Sequence, residues 1–201
     1  MNRTTTLGVC LVKERRTSTR GVPYALGWVV FRGMDRYTRL PIVGHGVLAD
    51  RLEAVNGRPV VLAGHLRERI EKDGSSRLQV VVEEVFPVEA PTFRAPLGHP
   101  VTDGYARAEV SGLLALPPKP LRGATGLRVA VRLPQGTGYG GTSFVNAVVL
   151  GEPPAGVEKG TRVYLAGALR PRKSDPELLT LYASELWTGA RVAEEAAWSG
   201  A

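Results

Sequence analysis

Three things are scarce in this sequence: cysteine, aromatic residues and long apolar runs. Cys10 is the single cysteine of the 201 residues, which excludes an intramolecular disulfide and a thiolate metal cluster. Aromatic residues make up only 6% of the chain. No stretch approaches the roughly 20 consecutive apolar residues that a membrane-spanning helix needs, and residues 1–6 lack the apolar segment of a signal peptide. We therefore expect a cytoplasmic protein that does not enter the membrane.

The sequence also lacks the residue combinations on which most enzyme sites depend. His45, His65 and His99 are separated from one another and have no cysteine or acidic helix partner at ligand spacing, so we expect no metal site. The glycine-rich residues 136–141 carry no Gly-Lys-Ser/Thr, which excludes a phosphate-binding nucleotide loop. No serine lies in a nucleophile-elbow context. We expect a binding protein with no cofactor, no metal and no catalytic site.

Positive charge is the most prominent property of the composition. The chain has 26 Lys and Arg against 19 Asp and Glu, a net charge of +7, and arginine supplies most of the cations. The guanidinium group binds phosphate oxygens in a bidentate fork and stacks on bases, so this excess favours a nucleic-acid partner. A basic surface that only keeps the protein soluble is the alternative interpretation.

Residues 57–69 and 160–172 are two copies of one motif. At a constant offset of 103 residues the segments share Gly, Val, Leu, Ala, Gly, Leu, Arg and Arg, and both end in Gly-x-Leu-Arg-x-Arg. A period of this length is that of a small domain rather than of a solenoid unit. The two arginines that end each motif project to the same side of an extended chain, where they can follow a phosphate backbone.

Each half of the chain has the pattern of three strands, a short helix and two further strands. In the first half we predict strands at 7–13, 24–32, 38–44, 58–66 and 76–85, with a helix at 47–55. In the second half we predict strands at 108–116, 126–133, 143–150, 161–169 and 178–187, with about one helical turn at 153–159. This order is that of the five-stranded Greek-key barrel of the OB fold. We therefore predict an all-β protein of two tandem OB-fold barrels, each with at most one short helix between strands 3 and 4.

The domain boundaries follow from the repeat and from a proline-rich segment between the two copies. We predict a first OB domain at 1–88, a connector at 89–106, a second OB domain at 107–190 and a tail at 191–201. The connector contains Pro91, Pro96 and Pro100, and we expect it to be semi-rigid. The tail has weak helical character around 192–197.

The segments predicted as strands three and four resemble the bacterial single-stranded DNA-binding protein family, in a version with two OB domains per chain. In that family an apolar segment ending in an aromatic residue and glycine precedes an Ala-x-x-Leu helix. The next strand has the pattern Gly-x-x-Val-x-Val/Ile-x-Gly-x-Leu-Arg-x-Arg. The first copy matches at 42–46, 49–52 and 57–69, and the second at 148–151 and 160–172.

This resemblance implies a function and an assembly. It implies binding of single-stranded DNA with little sequence preference, in replication, recombination or repair, at the nucleoid. Because the family works with four OB domains, it also implies a homodimer of this two-domain chain, with replication or repair proteins as possible partners.

The chain departs from the family pattern at the base-stacking positions. These positions hold Arg39, His45 and Glu71 in the first copy and Phe144, Leu150 and Ser174 in the second. Only Phe144 keeps an aromatic ring there. The acidic C-terminal tip with which the family recruits repair enzymes is also missing from residues 197–201. Fewer stacking platforms leave a larger share of the binding to charge.

We expect single-stranded DNA to follow the basic residues of both copies and to stack on nearby rings. The predicted phosphate contacts are Arg15, Arg16, Arg20, Arg36, Arg39, Arg67, Arg69 and Lys72 in the first copy, and Lys119, Arg122, Arg128, Arg132, Arg170, Arg172 and Lys173 in the second. The predicted stacking residues are Trp28, Tyr37, Tyr139 and Phe144. Trp28 and Phe31 have opposite parity on one strand, so only one of them can face a groove. Tyr164, Tyr182 and Trp187 are expected to pack the second barrel or a contact with another subunit.

A second hypothesis comes from a different functional class. The barrels could mainly bind partner proteins, as in a primosome- or replisome-type adaptor, with weak binding of single-stranded DNA or RNA. The sequence leaves open the choice between DNA and RNA, and whether both barrels bind.

Overall fold

The computed structural model describes residues 1–33, 37–70, 76–96, 98–133, 143–152, 154–171 and 178–191. The chain divides into two compact units. The first unit comprises Arg3–Arg107 with Arg170–Leu179, and the second comprises Met1–Asn2, Ala108–Leu169 and Thr180–Ala201. None of the described residues belongs to a helix that could cross a bilayer.

The first unit is a closed ring of five strands with one helix. Its elements are β1 (Asn2–Thr17), β2 (Pro23–Arg32), β3 (Tyr37–His45), α1 (Val47–Ala54), β4 (Pro59–Ile70) and β5 (Ser76–Pro87), followed by the short strands β6 (Phe93–Arg94) and β7 (Pro100–Asp103). The pairs β1–β2, β2–β3, β4–β5 and β1–β4 are antiparallel. The ring closes where β3 runs parallel to β5, with Ile42 opposite Val80. This connectivity is that of the OB barrel.

The second unit repeats the same ring. Its strands are β8 (Tyr105–Leu114), β9 (Lys119–Pro120), β10 (Gly126–Arg132), β11 (Phe144–Leu150), β12 (Thr161–Pro171) and β13 (Leu179–Arg191). β10 is antiparallel to β8 and β11, β11 runs parallel to β13 with Ala147 opposite Leu181, and β12 lies between β13 and β8. Residues 154–160 contain no helix, so the helical turn predicted there is wrong. Pro154, Gly156 and Gly160 all disfavour one.

Alternate side chains of each strand point into the barrel and form the core of the first unit. On β2, Ala25, Val29 and Phe31 are buried and face the inside of the barrel. The helix α1 contributes Ala49 and Leu52 to the same core. Cys10 is fully buried, and this burial raises the pKa of its thiol to about 12. Such a thiol is protonated at neutral pH, as expected of an inert core residue.

The all-β class, the strand order and the helix between the third and fourth strands are confirmed in the first unit, and the same strand order is confirmed in the second. The strands extend beyond their predicted ends, since β1 continues to Thr17 and β4 to Ile70. Residues 89–106, predicted as a connector, contain β6 and β7 within the first unit. The exact domain boundaries stay a prediction, and the proposed helical character at 192–197 lies outside the described residues.

The glycine of the repeated motif allows two strands to approach closely in each unit. A Cβ on Gly64 would overlap the carbonyl oxygen of Val81 on β5, and one on Gly167 would overlap that of Tyr182 on β13. In the first unit this contact lies at a register shift between Ala63 and Gly64. In both copies, therefore, glycine at this position avoids a steric clash with the backbone of the neighbouring strand.

We expect Gly64→Ala and Gly167→Ala each to lower the free energy of unfolding by about 1–3 kcal/mol, the range typical of an overpacked site. Urea unfolding measures the change. Gly189→Ala is the matched control, because its Cβ would lie 3.6 Å from the nearest atom, on Arg162, which is an ordinary contact. Equal effects of all three substitutions would contradict the close-approach explanation.

Candidate nucleic-acid interface

A groove of about 1000 Å³ crosses the outer surface of the first unit. Residues from β1, β2, β3, β4 and β5 line it, together with Pro171 and with Ala95, Pro96 and His99, which lie between β6 and β7. Five of the predicted DNA contacts meet in this groove: Arg16, Trp28, Tyr37, Arg39 and Arg69. The fold therefore collects residues that are as far as 53 positions apart in the sequence.

The register of β2 and β3 explains which side chains face the groove. Trp28 lies opposite Pro41, and Val30 opposite Arg39, so these residues share the outer face of the sheet. The intervening residues Val29 and Phe31 point into the core and are buried. The parity of the strand thus assigns Trp28 to the groove and Phe31 to the core.

The groove contains two aromatic rings, and one of them stands next to a cation. The ammonium nitrogen of Lys13 lies 5.6 Å from the ring centre of Trp28, within cation–π range. Tyr37 is exposed at the start of β3 and lines the same groove. An aromatic ring with a positive charge close by suits an unpaired base with its adjoining phosphate.

Two arginines face each other across the β4–β5 hairpin. Arg69 on β4 lies directly opposite Arg77 on β5, and both line the groove. Like charges in this arrangement destabilise an isolated strand pair. Their proximity makes this part of the surface attractive to an anion.

Arg67 lies two residues before Arg69 and opposite Gln79. Burial, and to a lesser extent the positive charge of Arg67, lowers the pKa of His45 from its ordinary value. His45 therefore loses its proton at a lower pH than a free histidine does. The ring of His45 packs in a tilted arrangement against Tyr24, with 5.9 Å between the ring centres.

Among the described cations predicted on the first copy, Arg15 and Arg16 have carboxylate partners, and Arg20 lies outside the groove lining. Arg15 forms ion pairs of 2.6 Å with Asp50 and 2.7 Å with Glu53, both on α1. Arg16 pairs with Glu14 at 2.7 Å while it lines the groove. The carboxylates raise the pKa of both guanidinium groups. Arg20 lies in the exposed turn between β1 and β2.

The second unit carries a basic strip on β9, β10 and β11. Lys119 lies directly opposite Arg128, and Arg132 opposite the exposed ring of Phe144. Strand alternation puts Arg128 and Arg132 on the face opposite to the buried Val129 and Val131. This face thus combines cations with a ring, as the groove of the first unit does.

The other predicted site residues of the second copy are more scattered. Arg122 is exposed in the turn between β9 and β10, and Arg170 is exposed near the end of β12. Arg36, Lys72, Tyr139, Arg172 and Lys173 lie outside the described residues, so the predictions for these five residues stay predictions.

The groove also contains residues that the sequence analysis did not select. Lys13, Arg77, Gln79 and His99 all line it. Of these four residues, Arg77 was the easiest to predict from the sequence, because pairing the two strands of a hairpin places it opposite Arg69. His99 carried no such signal, since its position depends on how a proline-rich segment packs.

Known structures share this fold over nearly the whole chain. The single-stranded DNA-binding protein from Thermus aquaticus aligns with a TM-score of 0.72 and 15% sequence identity, covering 96% of this chain and 95% of that one. A deletion mutant of the same protein gives a TM-score of 0.70 and 18% identity, covering 96% of both chains. The chain therefore has the OB-type fold of these proteins. Neither a protein-family model nor a curated protein sequence matches it.

Proposed function

We propose that this chain binds single-stranded DNA with little sequence preference. The observation that carries the proposal is the groove of the first unit, which places Trp28 and Tyr37 beside Arg39, Arg69 and Arg77. Unpaired bases have free faces that stack on such rings, and their phosphates are attracted by the surrounding cations. Every base has a face that can stack, so this mode of binding has little sequence preference.

The shared fold supports the same proposal, because its structural relatives are named for single-stranded DNA binding. Within the cytoplasm such a protein would associate with the nucleoid and serve replication, recombination or repair. The strip formed by Lys119, Arg128, Arg132 and Phe144 offers a second contact surface of the same chemistry. We propose that the strand engages both units and that no catalysis is involved.

Fluorescence polarisation of a labelled oligo-dT across a salt series tests this function. We expect tight binding that weakens steeply with salt, because each neutralised phosphate contributes about −0.7 to the slope of log K against log salt for a single strand. Arg39→Gln is expected to weaken binding and to reduce the magnitude of that slope by about 0.7.

Arg51→Gln is the matched control for this measurement, since Arg51 is an exposed arginine on α1 outside the groove lining. The control should bind like the unmodified protein. Affinity of the unmodified protein near background at moderate salt would instead favour the adaptor hypothesis, in which the barrels mainly bind proteins.

Stacking gives a second prediction. Trp28→Ala is expected to lower affinity for oligo-dT by about 5- to 150-fold, which corresponds to about 1–3 kcal/mol for one stacked base. Tyr37→Ala should act in the same direction. Tyr105→Ala is the matched control, because Tyr105 is also exposed but lies outside the groove lining. If Trp28→Ala and Tyr105→Ala bind equally well, the groove is not where the bases stack.

We also propose that two chains associate into a homodimer. Each unit leaves a large aromatic side chain exposed on its last barrel strand: Phe86 on β5 is 51% exposed, and Trp187 on β13 is 67% exposed. Burial of such rings against a second chain would remove apolar surface from water, which is favourable. Sedimentation equilibrium at micromolar concentration should give the mass of two chains, and a monomer at that concentration would rule the dimer out.

A further inference from the structure

Part of the groove wall on the first unit comes from outside the five-stranded ring. Ala95, Pro96 and His99 line the groove, and they lie between β6 and β7. These two strands form a small antiparallel hairpin, with Phe93 opposite Val101. The hairpin therefore contributes directly to the surface on which we place the DNA strand.

The second strand of this hairpin is held by its pairing with β2 and by two hydrogen bonds close to it. β7 runs parallel to β2, with Phe31 opposite Thr102. The amide of Gly104 donates to the carbonyl of Arg32 at 3.1 Å, and the hydroxyl of Thr102 donates to the carbonyl of Pro91 at 2.8 Å. Val101 and Thr102 are buried. β7 thus has several contacts that do not involve the side chain of Arg32.

The side chain of Arg32 links both strands of the hairpin to β2. Its guanidinium binds the carboxylate of Asp103 in a bidentate pair, with Nε–Oδ1 at 2.6 Å and the second nitrogen–Oδ2 contact at 2.9 Å. The same guanidinium lies 4.2 Å from the ring centre of Phe93 on β6. Asp103 and Phe93 therefore meet on one planar group, which suits arginine and not lysine.

We propose that Arg32 is a positioning residue of the DNA groove, which holds the β6–β7 hairpin so that Ala95, Pro96 and His99 form part of the groove wall. This inference rests on the proposed function of the groove. It gives the hairpin a role in shaping the path of an extended single strand. It also assigns Arg32 no contact with phosphate, since its guanidinium already binds a carboxylate in bidentate fashion.

The positioning role and a phosphate-binding role predict opposite results for Asp103. If Arg32 bound phosphate, Asp103→Asn would remove a competing negative charge and tighten the binding of DNA. If Arg32 positions the hairpin, the same substitution releases one of its anchors and weakens binding. Because an exposed ion pair contributes little to global stability, we expect only a small change in the unfolding midpoint for either partner.

The experiment measures oligo-dT affinity against salt for Arg32→Gln and Asp103→Asn. We expect both variants to bind roughly two- to tenfold more weakly, the cost of ordering one side chain on binding, with the salt slope unchanged. Arg39→Gln, which removes a predicted phosphate contact, should reduce the slope. Arg51→Gln, with an exposed arginine on α1, should change neither quantity. A smaller slope for Arg32→Gln, or tighter binding by Asp103→Asn, overturns the inference.

Hydrogen exchange of the hairpin tests the anchor without DNA. The amides of Ala95 and Gly98 donate within the hairpin, to the carbonyls of His99 and Ala95, at 2.9 and 2.8 Å. Both should exchange faster in Arg32→Gln and Asp103→Asn. The double variant Arg32→Asp with Asp103→Arg restores the ion pair without the Arg32–Phe93 contact, so it should recover part of the protection and affinity that Arg32→Gln loses. Unchanged exchange overturns the inference. If the unmodified protein fails to bind oligo-dT, the proposed function is wrong. The exchange rates still test whether Arg32 and Asp103 hold the hairpin in place.

Discussion

Closure of the strand ring is the constraint on which the rest of each unit depends. In the first unit the ring closes through the parallel contact of β3 with β5 and the antiparallel contact of β1 with β4. A closed sheet leaves no unpaired edge among its strands and forces alternate side chains into a common core. Gly64 and Gly167 support this closure, since any side chain there would meet the backbone of the next strand. The repeated motif is thus first a packing motif.

The outward-facing residues of the same strands differ between the two copies. On the third strand, the first copy has Arg39 and the second has Phe144 at the matching point, while the next inward residues, Leu40 and Val145, are both buried and apolar. A cation and a ring can both bind an unpaired strand, through phosphate in one case and through a base in the other. The two units can therefore share one fold and differ in the balance of charge and stacking.

Local patterns in the sequence predict the five-stranded ring of each unit. They do not predict the β6–β7 hairpin that packs against the first ring. The alternation of apolar and polar residues along each strand and the helix at 47–54 are local properties, so the sequence predicts them. The same alternation shows that Trp28 and Phe31 cannot both face the groove. The hairpin of β6 and β7 was missed because its pairing with β2 is a long-range contact in a proline-rich segment. Arg32 was passed over for the same reason, since its partner Asp103 is 71 residues away. The strand ends were predicted too early because charged residues were taken as turns, whereas the ladders continue through them.

Net charge is a poor guide to which cations are available to a ligand. Arg15 and Arg32 both lie on the first unit, and both are bound by carboxylates. Arg69 with Arg77, and Lys119 with Arg128, lie opposite each other across strand ladders. Opposed like charges cost stability in the free protein, and a bound polyanion reduces that cost. A ligand that binds only the folded state also stabilises that state. The arrangement therefore couples occupancy of the basic surface to the stability of the strands that carry it.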